Sequence, residues 1–277
     1  MLRLLKIEWL KLKSYRAFWI MVGLYLVILF AIIFGLPEFL DYVASQSNEM
    51  TAFKAFKTIA FNFADIWQNI AFLAGMRWFI QIFLALLMLV FISNEFSYLT
   101  VRSNILAGLS RTQFLLGKLS VVFLLSVVAT VALMISGLYL GYRFSANTSM
   151  TAVISGMHWL IFYFIETFTY LTFALLIGIL IRKTGFAIIT LLSYNFIELI
   201  IQYYTPDKLD KFLPLNAMNG IIRGVNTSML QVRTDEFDLE EFQFIQSGVS
   251  VWDIGLCLLY LALFIGLIHL YMNRKDL

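Results

Sequence analysis

Asn94–Lys118 reads NEFSYLTVRSNILAGLSRTQFLLGK and lies between two apolar runs, Ala71–Ile92 and Leu119–Gly141. The runs on either side are long enough to cross a bilayer as helices, and the stretch between them is polar and basic. Its first half has the amphipathic pattern of a short helix lying along a surface. Gly108 breaks that pattern. Ser110 follows, with Gln113 three residues on, which is the spacing of a capping box. A new helix is therefore predicted to start at Arg111 and to run straight into the next apolar segment. A link between two spans needs only a few residues, so this longer, charged one is expected to be structured and to meet something in the water.

The composition agrees with that placement. The chain has 277 residues, is 61% hydrophobic and 13% charged, and has a mean hydropathy of +0.85. A soluble domain carries about 25% charged residues. In lipid only helices and closed barrels satisfy the backbone, and continuous rather than alternating apolar runs select helices. The runs are Ala17–Leu36, Ala71–Ile92, Leu119–Gly141, His158–Ile181, Phe186–Tyr204 and Val251–Met272. The predicted class is thus all-α: one polytopic membrane domain over residues 1–277, with six transmembrane helices and no soluble domain.

Residues 1–16 precede the first run. Leu2, Leu5, Trp9 and Leu12 form one helical stripe, and Arg3, Lys6, Lys11, Lys13 and Arg16 add five positive charges. This predicts an interfacial helix with Trp9 at headgroup depth and its lysines snorkelling, in contact with membrane lipids. The alternative is a plain basic flank that fixes orientation. A cleaved signal peptide is not expected, because the apolar region is too long and no small-residue cleavage pattern follows.

Loop charge predicts orientation. With the N-terminus in the cytosol, the inner segments hold Arg3, Lys6, Lys11, Lys13, Arg16, Arg102, Arg111, Lys118, Arg182, Lys183, Arg274 and Lys275. The outer segments hold Lys54, Lys57, Arg143, Lys208, Lys211, Arg223 and Arg233. Twelve against seven places both termini and the Asn94–Lys118 stretch in the cytosol. Two outer segments are long: Pro37–Ile70, and 205–250 with Pro206, Pro214 and the acidic run Asp235–Glu241. That run reads as a solvated face, or else as a surface for cation or peptide capture.

No catalytic constellation is visible. His158 and His269 lie far apart, each read as an interfacial residue rather than a metal ligand, and there is no His-Glu-x-x-His. Gly117-Lys118 is followed by Leu119, and position 112 is Thr, so the phosphate-binding G-x-x-x-x-G-K-[ST] pattern fails. No cofactor or metal is expected in this chain. Cys257 is alone and inside an apolar run, where it packs as a small apolar residue. Arg77, Glu166 and Glu198 fall inside spans, at a shared depth in the outer half, with Gln81 one turn from Arg77 and Asn195 and Gln202 flanking Glu198. Such charges are costly in lipid and are expected to face one another, lining a polar pathway or holding helices together. Arg77 is expected to pair with Glu166 or Glu198. Gly137 and Gly141 form a G-x-x-x-G that lets two helices approach closely.

Taken together, these features resemble the ABC-2-type permeases, the membrane subunits of ABC exporters. Such permeases have a basic amphipathic N-terminal segment, six spans, and an inner loop after the second span with an acidic residue, a Thr, a Ser-Arg pair and a Lys. The matching residues are Glu95, Thr100, Ser110-Arg111 and Lys118, with Arg102 on the same segment. The chain departs at Leu99, where Gly is frequent, and at Gly108-Leu109, where Pro is frequent. The resemblance implies that Glu95, Thr100, Arg102, Ser110, Arg111 and Lys118 form a cytosolic coupling helix that docks on a separate ATPase. It further implies two ATPase subunits that bind ATP and Mg, a second permease identical or related to this one, no nucleic-acid partner, and a bacterial plasma membrane location. The substrate is open: a peptide antibiotic, a lipid, a polysaccharide or an ion. A membrane scaffold or immunity protein, or an intramembrane enzyme using Glu166, Glu198 or His158, are the readings from other classes.

The charge count is checked by topology. Reporter fusions after Lys118 and after Leu277 are expected to report the cytosol, and a fusion at Glu236 the outside. A cytosolic signal at Glu236 would overturn the six-span orientation.

Overall fold

The computed structural model describes residues 2–46, 60–63, 65–98, 100–106, 108–205, 209–222 and 249–274. Eleven α-helices are defined among them, in the order α1 Leu2–Ser14, α2 Arg16–Gln46, α3 Ile66–Ala74, α4 Ile82–Ser97, α5 Thr100–Leu106, α6 Arg111–Phe144, α7 Met150–Ser155, α8 His158–Ile181, α9 Thr184–Tyr204, α10 Pro214–Asn219 and α11 Val251–Arg274. A single π-helical turn, Arg77–Gln81, leads into α4, and a 3-10 turn, Asp210–Phe212, precedes α10. Among the described residues there is no strand. Among the described residues, six helical segments are long and apolar enough to cross a membrane: Arg16–Gln46, Phe79–Ser97, Arg111–Phe144, Met150–Ile181, Thr184–Tyr204 and Val251–Arg274.

Helix α8 is the hub. Most of its residues are buried, including the polar Glu166, Thr167, Thr169 and Thr172, and such a helix belongs in a bundle centre. It packs against α4, α6, α9 and α11 and touches α3 and α10. Helices α2, α9 and α11 form the rim, where Val27, Phe196, Ile200, Leu259 and Leu270 are exposed. One end of the bundle, the α1 end, gathers α1, α5, the α8–α9 turn and the finish of α11. The opposite end gathers α3, α7 and α10.

Several expected boundaries change. The first span continues through Pro37, expected to begin an outer segment, and reaches Gln46. Proline cannot donate to the carbonyl of Ile33, yet one missing bond does not end a helix whose flanking turns are packed; Ile33 and Pro37 are both buried. The second span is not continuous from Ala71. Helix α3 stops at Ala74, Met76 is extended with ψ of 98°, and the π-helical turn restarts the chain at Arg77. The supposed outer segment before it instead re-enters the bundle: Phe61, Phe63, Ile66, Trp67 and Ile70 are all buried. Likewise 205–250 is not simply a loop, since Leu215, Ala217, Met218, Ile221 and Ile222 are buried beside α8 and α11. The acidic run Asp235–Glu241, Pro206 and Leu99 lie outside the described residues.

The G-x-x-x-G of α6 does allow a close approach, and its partner is α3. An ideal Cβ on Gly137 would lie 2.6 Å from Ile70 Cδ1 and 2.7 Å from Trp67 Cζ3, and one on Gly141 would collide with the Phe63 ring. Trp67 is held in turn by a hydrogen bond from Nε1 to the Val153 carbonyl at 2.9 Å, and Phe63 by a bond from its N–H to Ser145 Oγ at 2.7 Å. Overpacking such a contact destabilises by about 1–3 kcal/mol or more. Gly141→Leu is therefore expected to lower the melting temperature of the purified protein in detergent. Gly255→Leu, where nothing lies within 4 Å, is expected to leave it unchanged. Equal melting of the two variants would refute this packing of Phe63 against α6.

Candidate functional site

Among the described residues, buried charged side chains gather in one group near each end of the bundle. At the α1 end Lys118 of α6 is completely buried. Its Nζ donates to Glu8 Oε2 at 2.6 Å and forms an ion pair with Glu95 Oε1 at 2.7 Å. Lys11 completes the cluster, with Nζ 3.0 Å from Glu95 Oε1 and 3.3 Å from Glu8 Oε1. Two ammonium groups and two carboxylates thus form a net-neutral set joining α1, α4 and α6. Burial lowers the pKa of Lys11, but the attraction of Glu95 and Glu8 outweighs it, and the pKa is raised above its ordinary value. Lys118 also lies over the rings of Phe91, 4.3 Å from the centroid, and Phe114, at 5.1 Å.

This geometry turns α1 around. Its exposed residues include Ile7, Trp9 and Leu10, while Glu8 and Leu12 are buried against the bundle. The predicted stripe joined Trp9 to Leu12 on one face; the demand of Lys118 for carboxylates instead sets which face packs inward. The side chains of Leu2, Leu5 and Arg102 lie outside the described residues.

The link between α4 and α6 keeps its predicted caps. Ser110 accepts from Gln113 N–H at 3.1 Å, and Gln113 Oε1 accepts from Ser110 N–H at 3.0 Å, so the capping box is complete. Gly108 has φ of +93°, the left-handed conformation that favours glycine. Thr100 Oγ1 donates to the Glu95 carbonyl at 2.9 Å and closes the turn between α4 and α5. Arg111 does not simply face water: its Nη1 donates to the carbonyls of Met272 at 2.6 Å and Asn273 at 2.9 Å. The first residue of α6 thereby holds the last turn of α11, whose unpaired carbonyls attract a cation. Arg182, in the left-handed conformation at the end of α8, stacks over Phe96 and Tyr271.

The second group lies toward the opposite end. Arg77, Glu166 and Glu198 are at most 4% exposed. Of the two carboxylates expected beside Arg77, Glu166 is the one within ion-pair distance, with Oε1 3.4 Å from Nη2. Arg77 Nη1 donates to the Leu215 carbonyl at 2.6 Å, and the guanidinium lies over the Tyr170 ring. Glu198 Oε1 accepts from the N–H of Asn216 at 2.7 Å. Gln81 Nε2 donates to Thr167 Oγ1 at 3.2 Å, and the Tyr25 and Tyr163 hydroxyls share a hydrogen bond of 3.0 Å. Asn195 turns back on its own helix, to the Leu191 carbonyl at 2.8 Å. Tyr163, Glu166, Thr167 and Tyr170 recur at helical spacing on one face of α8, which concentrates the polarity there.

Sequence reasoning singled out Glu95 and Lys118 but assigned them to a docking segment; the structure encloses both. It missed Glu8 and Lys11. A signal existed, since Glu8 is the sole acid in residues 1–16 and Glu95 the sole acid in residues 94–118. It also missed Tyr25, Tyr163 and the α10 backbone, for which no local pattern speaks. Cys257 Sγ lies 3.4 Å from Thr169 Oγ1, and His269 pairs with Asn273. Among the described residues, no group of three His, Cys, Asp or Glu could hold a metal ion. Comparison with known protein families, curated proteins and solved structures yields no significant match.

Removing one member of a buried ion pair typically costs about 3–5 kcal/mol because the other charge is left unpaired. Lys118→Met is expected to destabilise by that order, and Glu8→Gln in the same chain to restore part of it. Thermal unfolding of the two single variants and the double variant measures the coupling; strictly additive losses would exclude a shared cluster.

Proposed function

We propose that this chain is the permease subunit of an ATP-driven exporter of the ABC-2 type, and that α5 is where a separate ATPase subunit pushes. The observation that carries the reading is the contrast between α5 and its flanks. Tyr98, just before the short helix, and Leu106, its last residue, are 77% and 79% exposed, large apolar side chains at the end of the bundle that carries the basic helix α1. Immediately beyond them, Glu95 and Lys118 are locked into one buried ionic cluster with α1, and Arg111 is fastened to α11. A displacement of α5 is therefore delivered at once to α1, α4, α6 and α11. A rigid, capped helix α6 that begins at the contact and runs across the bundle suits that transmission.

On this reading both termini face the cytosol, and two copies of such a subunit work with two ATPases that bind ATP and Mg. The docking surface comprises Tyr98, Thr100, Ser103, Leu106 and Ser110. Glu95, Lys118 and Arg111 act behind it by passing the movement on.

The full-length tagged chain, purified in mild detergent from its own host, is expected to bring with it an ATPase carrying a Walker motif. Leu106→Glu, on an exposed side chain, is expected to abolish that co-purification without changing the melting temperature. Arg111→Ala is expected to retain the ATPase but to lose the stimulation of hydrolysis by transport. Absence of an ATPase from the wild-type preparation, or its retention by Leu106→Glu, would refute the assignment of α5.

A further inference from the structure

The buried group around Arg77 contains an unbalanced charge. Arg77 Nη1 donates to the oxygen of Leu215 and Glu198 accepts the N–H of Asn216. These two atoms belong to one peptide unit, the bond between residues 215 and 216. The guanidinium and the Glu198 carboxylate thus grip opposite poles of a single peptide dipole in α10, and their charges compensate each other across it. Glu166 is the surplus carboxylate, 2% exposed in an apolar bundle.

Its contact with the guanidinium is longer than that of a tight ion pair. Charge-assisted N–H to carboxylate bonds run at about 2.7–2.9 Å, and Lys118 achieves 2.6 and 2.7 Å with its two partners. Glu166 reaches Arg77 only at 3.4 Å, and its Oε2 has no hydrogen-bond partner among the described residues. Arg77 Nε likewise has none, so the guanidinium has bonding capacity left over. The space beside the carboxyl is provided by Gly75, at the break between α3 and the π-helical turn. A Cβ there would lie 3.3 and 3.4 Å from the two Glu166 oxygens and 3.1 Å from the Ala71 carbonyl. Among the described residues, the remaining titratable groups around the cluster are Tyr25 of α2, Tyr163 and Tyr170 of α8, Tyr194 of α9, Cys257 and Tyr260 of α11, and Asp210 before α10. Phenols and a thiol carry no charge near neutral pH, and Asp210, which accepts from Asn216 Nδ2 at 3.1 Å, only adds negative charge. None can balance Glu166.

We propose that Glu166 is a proton-binding site whose occupancy controls the grip of Arg77 on α10. With the proton on Glu166, Arg77 is left to the Leu215 carbonyl and α10 is held in the bundle. When the proton passes to water, the carboxylate draws the guanidinium to itself, the Leu215 bond is lost, and α10 is released from one of its two anchors. No further reactant is needed: one O–H bond breaks, and one ion pair replaces one hydrogen bond. The Asn216–Glu198 bond remains as the hinge.

Two measurements on the full chain in lipid nanodiscs test this. Infrared spectroscopy at neutral pH is expected to show a protonated-carboxyl band that disappears in Glu166→Gln and persists in Glu198→Gln. Hydrogen exchange of the α10 amides, corrected for the intrinsic pH dependence, is expected to accelerate in the wild type by up to about tenfold per pH unit as the pH rises toward the titration of Glu166, and to level off above it. In Glu166→Gln, a side chain of the same shape that cannot ionise, α10 is expected to stay protected across that range. A band that survives Glu166→Gln, or that vanishes in Glu198→Gln instead, overturns the assignment. The same pH response of α10 in the wild type and Glu166→Gln overturns the control of α10.

Discussion

Lys118 carries a full positive charge into a region of the protein with no exposure to solvent. A buried ammonium requires carboxylates at hydrogen-bonding distance, and none on its own helix can supply them. Glu8 and Glu95 do so from α1 and α4, and much of the arrangement at this end follows. Helix α1 must roll Glu8 inward, which leaves Trp9 and Leu10 outward. The end of α4 must approach the start of α6, so the link between them is confined to the short helix α5. Lys11 then restores neutrality for a pair of carboxylates that would otherwise repel each other.

The opposite end handles charge differently. Arg77, Glu166 and Glu198 are buried there, and they do not form a closed set of ion pairs. Arg77 and Glu198 are matched through an intervening peptide of α10, and Glu166 stands apart. Short helices α3 and α10 fill the space that continuous spans would leave, and polar side chains hold α10 where apolar packing alone would allow it to slide. The π-helical turn after Met76 belongs to the same arrangement. Interrupting the second span brings both Arg77 and Gln81 toward α8, and wide turns of this kind recur where a helix presents side chains for function.

A bundle with a tight ionic clamp at one end and a looser polar cluster at the other is suited to asymmetric movement. The clamp ties α1, α4 and α6 into one body and Arg111 adds α11, so that end moves as a unit. At the other end the polar contacts to the six-residue helix α10 are single hydrogen bonds, and these can exchange without disturbing the spans. This division is the physical basis for reading α5 as the site of input and α10 as the element that responds.

The sequence by itself determined the class of the protein and the number of its apolar segments, because bilayer-length runs of apolar residues admit few other structures. It also determined features that depend on neighbours a few residues away: the Ser110–Gln113 capping box, the glycine turn at Gly108, the close approach permitted by Gly137 and Gly141, and the presence of costly charges at Arg77, Glu166 and Glu198. The partner of each of these lay beyond its reach. Gly137 and Gly141 meet Trp67, Ile70 and Phe63 of a re-entrant segment that hydropathy alone assigned to a loop. Glu95 meets Lys11, 84 residues away, and Lys118 meets Glu8, 110 residues away. Arg77 and Glu198 meet each other only through the backbone of α10, which has the same hydrogen-bonding groups in every sequence and leaves no residue signature. Periodicity and capping act within a few turns of one helix, whereas the pairing of buried charges is settled only when all the helices are packed together.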